Sequence, residues 1–114
     1  MDRRVLIDPA VSHSLSVIYE YGVAFDGRRT AARFVSSINK AIRQVCTHPE
    51  NGPFEQLLDG DSHGIRSVVA HPYFKIIYLY KTDVDEVYVL DVWDTRRDPE
   101  DMIARFRYHM NSKL

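Results

Sequence analysis

The amino-acid sequence predicts an α+β domain in which a helical hairpin covers one face of a β-sheet. Two runs, Tyr73–Lys81 and Val87–Trp93, are almost wholly β-branched, aromatic or aliphatic and contain no glycine or proline, as is typical of buried strands. Two segments upstream have the apolar spacing of amphipathic helices. The predicted order is an N-terminal strand, a two-helix hairpin, a three-stranded antiparallel meander and a short C-terminal helix.

Size and composition are those of an ordinary globular protein. The 114 residues predict a single domain spanning residues 1–114, and 45% hydrophobic with 27% charged residues argues against disorder. No apolar run approaches the roughly 20 residues of a membrane span, and the first residues lack the apolar core of a secretory signal. The single Cys46 cannot form an internal disulfide. These features predict a cytoplasmic protein.

The N-terminal half contains the first strand and the helical hairpin. Val5–Ile7 is short and apolar, and Asp8 followed by Pro9 is typical of a helix start. Apolar spacing predicts a first helix at Pro9–Gly22, a turn at Asp26–Gly27 and a second helix at Arg29–Thr47. Two helices joined by a short loop should lie antiparallel on one face of the sheet.

The second helix has a basic face opposite its apolar stripe. A solvated helix face is the simplest interpretation, and complementarity with an acidic partner or with phosphate is the functional alternative. The residues of this face are Arg29, Arg33, Ser36, Lys40 and Arg43.

A long loop and the meander follow the hairpin. The loop His48–Gly64 is rich in glycine, proline and aspartate, with one helical turn predicted at Phe54–Leu58. Arg66–Ala70 is the first meander strand, and His71–Pro72 is the turn after it, because proline cannot donate to a β-ladder. The polar segment Thr82–Glu86 predicts an antiparallel hairpin between the two longer strands.

The last predicted element is a short helix. Asp98 and Pro99 repeat the pattern of a helix start, and acidic residues in the first turn suit the helix dipole. Its apolar side comprises Met102, Ile103, Phe106 and Met110.

From Val5 to Met102 the chain resembles the RelE/ParE family of bacterial type II toxins. The resemblance rests on the order of elements, on the run Phe74–Tyr78, on the strand that closes at Arg96–Pro99, and on the loop His48–Pro53. It implies a toxin associated with plasmid stabilisation and growth inhibition, bound and neutralised by a cognate antitoxin, as a dimer or as a hetero-tetramer with that antitoxin.

The resemblance also implies catalytic residues if the chain is a RelE-like nuclease. Arg66, Lys75 and Arg97 match basic positions that stabilise the phosphate during metal-independent RNA cleavage. Val68, however, stands where the nucleases often have a second lysine, and Thr95 stands where some of them have a catalytic arginine.

The general acid of the nucleases also lacks a counterpart. The C-terminal tyrosine or histidine that would protonate the leaving oxygen is absent from Pro99–Met102, and Tyr108 and His109 belong to the last helix. These departures favour the ParE branch, which inhibits a protein target such as DNA gyrase. The alternatives are a ribosome-dependent mRNA interferase and a catalytically silent binding relative.

Structural roles are alternatives for the same basic residues. Arg97 is expected to pair with Asp94, Asp98 or Glu100, and Lys75 is a common solubilising choice on a strand. The net charge of −1 does not support nucleic-acid binding driven by overall charge and weakens the ribosomal alternative.

Other chemistry has little support in the sequence. The five histidines show no ligand spacing, so no metal is expected, and no fingerprint of a cofactor site is present. A base formed by His63 with a nearby aspartate is a minor alternative. Trp93 and the strand tyrosines 73, 78, 80 and 88 are interpreted as core or antitoxin-contact residues, with base stacking as the alternative.

Overall fold

The computed structural model describes residues 3–58 and 64–113, with side chains of the last helix described as far as Phe106. The elements occur in the predicted order, and two short 3₁₀ turns lie in the loop before the meander. The strands are β1 (Arg4–Ile7), β2 (Arg66–Ala70), β3 (Phe74–Lys81) and β4 (Glu86–Asp94). The helices are α1 (Ala10–Asp26), α2 (Arg28–Thr47) and α3 (Pro99–Lys113), and the 3₁₀ turns are Pro49–Asn51 and Gln56–Leu58.

The sheet has the strand order β1-β4-β3-β2. The meander is antiparallel as predicted, whereas β1 pairs in parallel with β4. The pairing of β1 ends at Ile7 opposite Val89, so β4 continues beyond it. A bulge in β4 accommodates one extra residue, Leu90, because Ile77 pairs with Asp91 while Tyr78 pairs with Val89.

Each face of the sheet supports its own apolar core. Alternate β3 residues point to opposite sides: Phe74, Ile76 and Tyr78 pack against α1 and α2, whereas Ile77 and Leu79 pack on the side of α3. The first arrangement confirms that the hairpin covers one face. The core on the α3 side consists of Leu58, Ile65, Ile77, Leu79, Leu90, Trp93, Met102 and Phe106.

Helix α1 continues one turn beyond its predicted end at Gly22. Gly22 is buried inside the helix, and a Cβ atom there would lie 2.8 Å from the Cβ of Ala31. Glycine therefore permits the close approach of α1 and α2 instead of ending the helix. The hairpin turns at Gly27, whose φ of +92° is readily adopted only by glycine.

Arg3 fixes the C-terminal end of α2 to the sheet. Its Nη1 donates to the carbonyls of Cys46 and Thr47, each at 2.8 Å, and its Nε donates to Asp85 Oδ1 at 2.9 Å. These bonds satisfy carbonyls that the helix leaves without partners.

Burial raises the pKa of the half-buried Cys46 thiol, so this side chain is a poor nucleophile. Among the described residues, no helix is long and apolar enough to cross a bilayer.

Candidate functional site

Arg66 anchors the loop between α2 and β2. Its Nη1 donates to the carbonyl of Gly52 at 2.7 Å and to that of Glu50 at 3.3 Å. Its guanidinium carbon lies 4.5 Å from the centroid of the Phe54 ring, a cation–π contact. The hydroxyl of Tyr78 donates to the carbonyl of Pro49 at 2.7 Å in the same region. These contacts give Arg66 a structural role.

Lys75 forms an ion pair with a buried carboxylate. Its Nζ lies 2.7 Å from Oε1 of Glu55, a side chain that is only 2% exposed. Burial by itself raises the pKa of Glu55, but hydrogen bonds from Lys75, from the backbone N–H of Leu57 and from Ser67 outweigh it and leave the pKa below its usual range. Glu55 is therefore ionised at neutral pH and neutralises Lys75.

The sheet places Arg66 and Lys75 on opposite faces. Arg66 pairs with Tyr78, which belongs to the core on the hairpin side, whereas Lys75 pairs with Trp93, which belongs to the core on the α3 side. Arg97 shares the second face, with its guanidinium carbon 4.3 Å from the centroid of the Trp93 ring. The structure thus brings Lys75 and Arg97 to the same tryptophan and separates both from Arg66.

Arg97 forms a different ion pair from those expected. Its Nη2 lies 4.0 Å from Oδ2 of Asp101, in the first turn of α3, and half of its side chain is exposed. Asp94, an expected partner, binds Arg96 instead. The segment Pro99–Met102, which lacks the tyrosine or histidine that serves the nucleases as general acid, lies in the first turn of α3. The side chains of Tyr108, His109 and Met110, and the whole of His63, lie outside the described residues.

A groove of about 750 Å³ opens between α1, the end of β4 and α3. Its α1 wall is formed by side chains at four-residue intervals, His13, Val17, Tyr21 and Phe25. Tyr21 and Phe25 are 64% and 77% exposed, and their rings stack with centroids 5.8 Å apart. Two adjacent aromatic rings this exposed are typical of a surface that binds a partner.

The opposite wall is cationic. Arg96, Arg97 and Arg105 line it together with Asp94. Arg96 binds both carboxylate oxygens of Asp94, at 3.1 and 2.8 Å, and its guanidinium carbon lies 3.8 Å from the centroid of the Tyr73 ring. Burial raises the pKa of Asp94, but its bonds with Arg96 outweigh burial and lower that pKa overall. Arg97 is therefore the cation of this wall with the weaker ion pair.

Asp91 holds the walls of the groove together. Its carboxylate is fully buried and accepts a hydrogen bond from the Ser14 hydroxyl of α1 at 2.6 Å. Nη2 of Arg105, on α3, lies 2.5 Å from its second oxygen. One buried carboxylate on β4 thereby fixes α1 and α3 in position, and removing Arg105 would leave its buried charge without this counter-charge.

Sequence reasoning did not identify this groove. Tyr19 of α1 is 41% exposed and does not line the groove, whereas Tyr21 and Phe25 do. The available signal was the four-residue repeat of His13, Val17, Tyr21 and Phe25, which marks a second apolar stripe on the helix. Among the described residues no group of three or more His, Cys, Asp or Glu side chains could hold a metal ion.

Comparisons with solved structures show the same fold. The chain is similar to a protein of the chromosomal ParDE toxin–antitoxin system from P. aeruginosa, with a TM-score of 0.63 and 15% identity over 79% of this chain and 92% of that one. A metal-bound toxin from Helicobacter pylori gives a TM-score of 0.54 and 14% identity over 82% and 96% of the two chains. A YoeB/ParE toxin from Agrobacterium tumefaciens gives 0.50 and 21% over 78% and 94%.

The sequence comparison identifies the family. No curated protein sequence matches the chain. The profile described as "ParE toxin of type II toxin-antitoxin system, parDE" matches residues 5–99, which include both helices of the hairpin and all of the sheet except Arg4. The chain therefore belongs to the ParE toxin family of type II toxin–antitoxin systems.

Proposed function

We propose that this ParE-family toxin acts in the cytoplasm by binding a protein target, with DNA gyrase as the first candidate, and that a cognate antitoxin neutralises it. The observation that carries the proposal is the engagement of Arg66 and Lys75 in structural contacts on opposite faces of the sheet. Both are residues on which a RelE-like nuclease would depend.

The chemistry of RNA cleavage explains why these contacts favour a binding mechanism. Cleavage requires cations close to the phosphate, a base for the 2′-hydroxyl and an acid for the leaving oxygen. Arg66 donates to loop carbonyls, and the charge of Lys75 is neutralised by buried Glu55. Of the three basic residues, only Arg97 has a half-exposed side chain, and its ion pair with Asp101 is weak. A toxin that binds a protein needs none of these catalytic groups.

The groove supports an antitoxin site of defined chemistry. One wall offers the exposed rings of Tyr21 and Phe25, and the other offers the half-exposed cation of Arg97. An antitoxin segment with apolar side chains on one side and acidic side chains on the other complements both walls. An amphipathic helix meets this description and commonly binds in grooves of this kind.

The mechanism is tested by comparing two targets of the purified chain. We expect it to inhibit gyrase-catalysed supercoiling of relaxed plasmid, and we expect induced cells to filament and show a DNA-damage response. Primer extension on a reporter message translated in vitro should show no cleavage at the ribosomal A site. Ribosome-dependent cleavage by stoichiometric amounts of protein would instead establish the interferase alternative.

The antitoxin site is tested by alanine substitution in the groove. The product of the neighbouring reading frame should co-purify with the wild-type chain, and Tyr21→Ala or Phe25→Ala should weaken that complex by at least about 30-fold, as expected of an aromatic hot spot worth about 2 kcal/mol. Tyr19→Ala is the matched control because it removes the same side chain from the same helix outside the groove. Equal losses for Tyr19 and Tyr21 variants would place the antitoxin elsewhere.

A further inference from the structure

The solvent face of α2 carries a row of cations that the proposed function does not use. Arg29, Arg33, Lys40 and Arg43 are all exposed. At 3.6 residues per turn they fall within an arc of about 80° and extend over about 21 Å of the helix. None of them lines the groove. The apolar stripe of α2 lies on the opposite side, buried against the sheet.

These cations have no counter-charges in the part of the chain that the structure describes. Helix α2 contains five basic and no acidic residues, and none of the four side chains takes part in an ion pair there. The whole chain has a net charge of −1 and α2 has a charge of +5, so the residues outside α2 carry −6. Positive charge is therefore concentrated on this helix. Arg29 and Arg33 are four residues apart, a spacing at which like charges destabilise a helix, and a bound polyanion would relieve this repulsion.

The composition of the face favours phosphate over protein. The large exposed apolar side chains lie in other described segments, and α2 contributes none of them. Protein interfaces have an apolar or aromatic centre, whereas contact with a nucleic-acid backbone is driven by charge alone. Binding of single strands also uses aromatic side chains for stacking, and this face has none.

The shape of the face favours duplex DNA over duplex RNA. A helix about 10–12 Å across fits the major groove of B-form DNA, which is about 12 Å wide. The major groove of A-form RNA is too narrow for side chains to enter. The helix that carries this row is held in place, because α2 packs against both α1 and the sheet.

We propose that α2 lies along the major groove of double-stranded DNA and binds the phosphate backbone through Arg29, Arg33, Lys40 and Arg43. Contacts of this kind position a protein on a duplex without reading its sequence. None of these four residues lines the groove, so DNA bound in this way leaves the groove open to a protein partner.

The test measures the salt dependence of binding to a fluorescein-labelled DNA duplex by anisotropy. Four phosphate contacts predict a slope of log K against log salt of about −3.6, which corresponds to a loss of about 150-fold between 50 and 200 mM salt. The double variant R33Q/K40Q should reduce the slope to about −1.8. The matched control R4Q/K81Q removes the same two charges from exposed positions in β1 and β3 and should leave the slope unchanged.

A second pair, R29Q/R43Q, gives an independent measurement on the same row and should reduce the slope to the same extent, with circular dichroism to verify the fold of each variant. Equal effects of the test and control variants would overturn the proposal, because they would show a dependence on overall charge only. Tighter binding to a duplex RNA, a single-stranded DNA or a poly-glutamate peptide than to duplex DNA would overturn it as well.

Discussion

Glu55 is a buried carboxylate whose ionised state depends on Lys75, twenty positions further along the chain. The pair joins the loop before the meander to the middle strand, and Ser67 of the edge strand completes it. Arg66 binds the same loop from the other face of the sheet by donating hydrogen bonds to the carbonyls of Glu50 and Gly52. At the scale of single residues, basic side chains that resemble a nuclease site thus stabilise an irregular loop.

Substitution of Lys75 tests this role. Lys75→Ala leaves the buried carboxylate of Glu55 without its cation, and we expect the free energy of unfolding to fall by about 1–3 kcal/mol. The double variant with Glu55→Gln should recover part of this loss, because it removes the uncompensated charge. Urea unfolding followed by Trp93 fluorescence measures both effects. A variant that keeps full stability but loses toxicity would instead indicate a direct functional role for Lys75.

The Lys75–Glu55 pair also predicts that the free energy of unfolding depends on pH. Because the pKa of Glu55 is lower in the folded chain than its ordinary value, its contribution to stability is present above that ordinary value and is lost as the pH falls through the folded pKa. The difference in unfolding free energy between the wild type and Glu55→Gln should therefore shrink below a pH of about 4. A difference that stays constant across this range would exclude ionised Glu55 as its source.

At the scale of elements, the α1–α2 hairpin depends on one close contact. Gly22 lies against Ala31, and α1 is thereby held near α2 while its other side, with Tyr21 and Phe25, remains exposed to form the groove. Asp91 then joins α1 to β4 and α3. The groove therefore depends on how three elements pack and not on any one of them.

Enlargement of Gly22 tests the hairpin contact. Glycine to alanine within a helix ordinarily stabilises by about 1 kcal/mol, but here the added methyl group would lie 2.8 Å from the Cβ of Ala31. We expect Gly22→Ala to destabilise by about 1–3 kcal/mol in thermal or urea unfolding, as overpacked cores do. Ala31→Gly in the same chain should restore part of the loss. Unchanged or increased stability of the single variant would contradict this contact.

At the scale of the whole molecule, the sheet separates two cores. No described residue belongs to both, and β3 and β4 each contribute buried side chains to the two cores. The α3 side contains the single tryptophan, Trp93, which is 2% exposed. Its fluorescence therefore reports the integrity of the face that α3 covers.

The separation of the cores predicts additive effects of conservative substitutions. Ile38→Val removes a methylene from the core on the hairpin side and Ile77→Val removes one from the core on the α3 side, each at a cost of about 0.5–1.5 kcal/mol. The double variant should lose the sum of the two within about 0.5 kcal/mol, because the side chains share no partner. Chemical denaturation measures all three. A larger deviation would show that the two cores are coupled through the sheet.

The sequence by itself determined the order of elements and nearly all their bounds. Strand and helix periodicities are local properties, so β2 is found at its predicted residues Arg66–Ala70. Strand β3 differs from its prediction by one residue at its start, and β4 differs by one residue at each end. Gly22 was misinterpreted as a helix end because its reason for being glycine is Ala31 in the neighbouring helix. The family resemblance also followed from this order of elements and is confirmed by the ParE profile.

Only the tertiary structure decided how the charged residues are used. Strand register determines that Arg66 and Lys75 point to opposite faces, and the bulge at Leu90 determines how Asp91 meets both α1 and α3. The partner of Lys75 could not be identified from sequence, because Glu55 lies in an irregular loop with no periodicity to assign its direction. The groove is likewise formed by elements distant in sequence, since its walls come from the first helix and from the residues after the last strand.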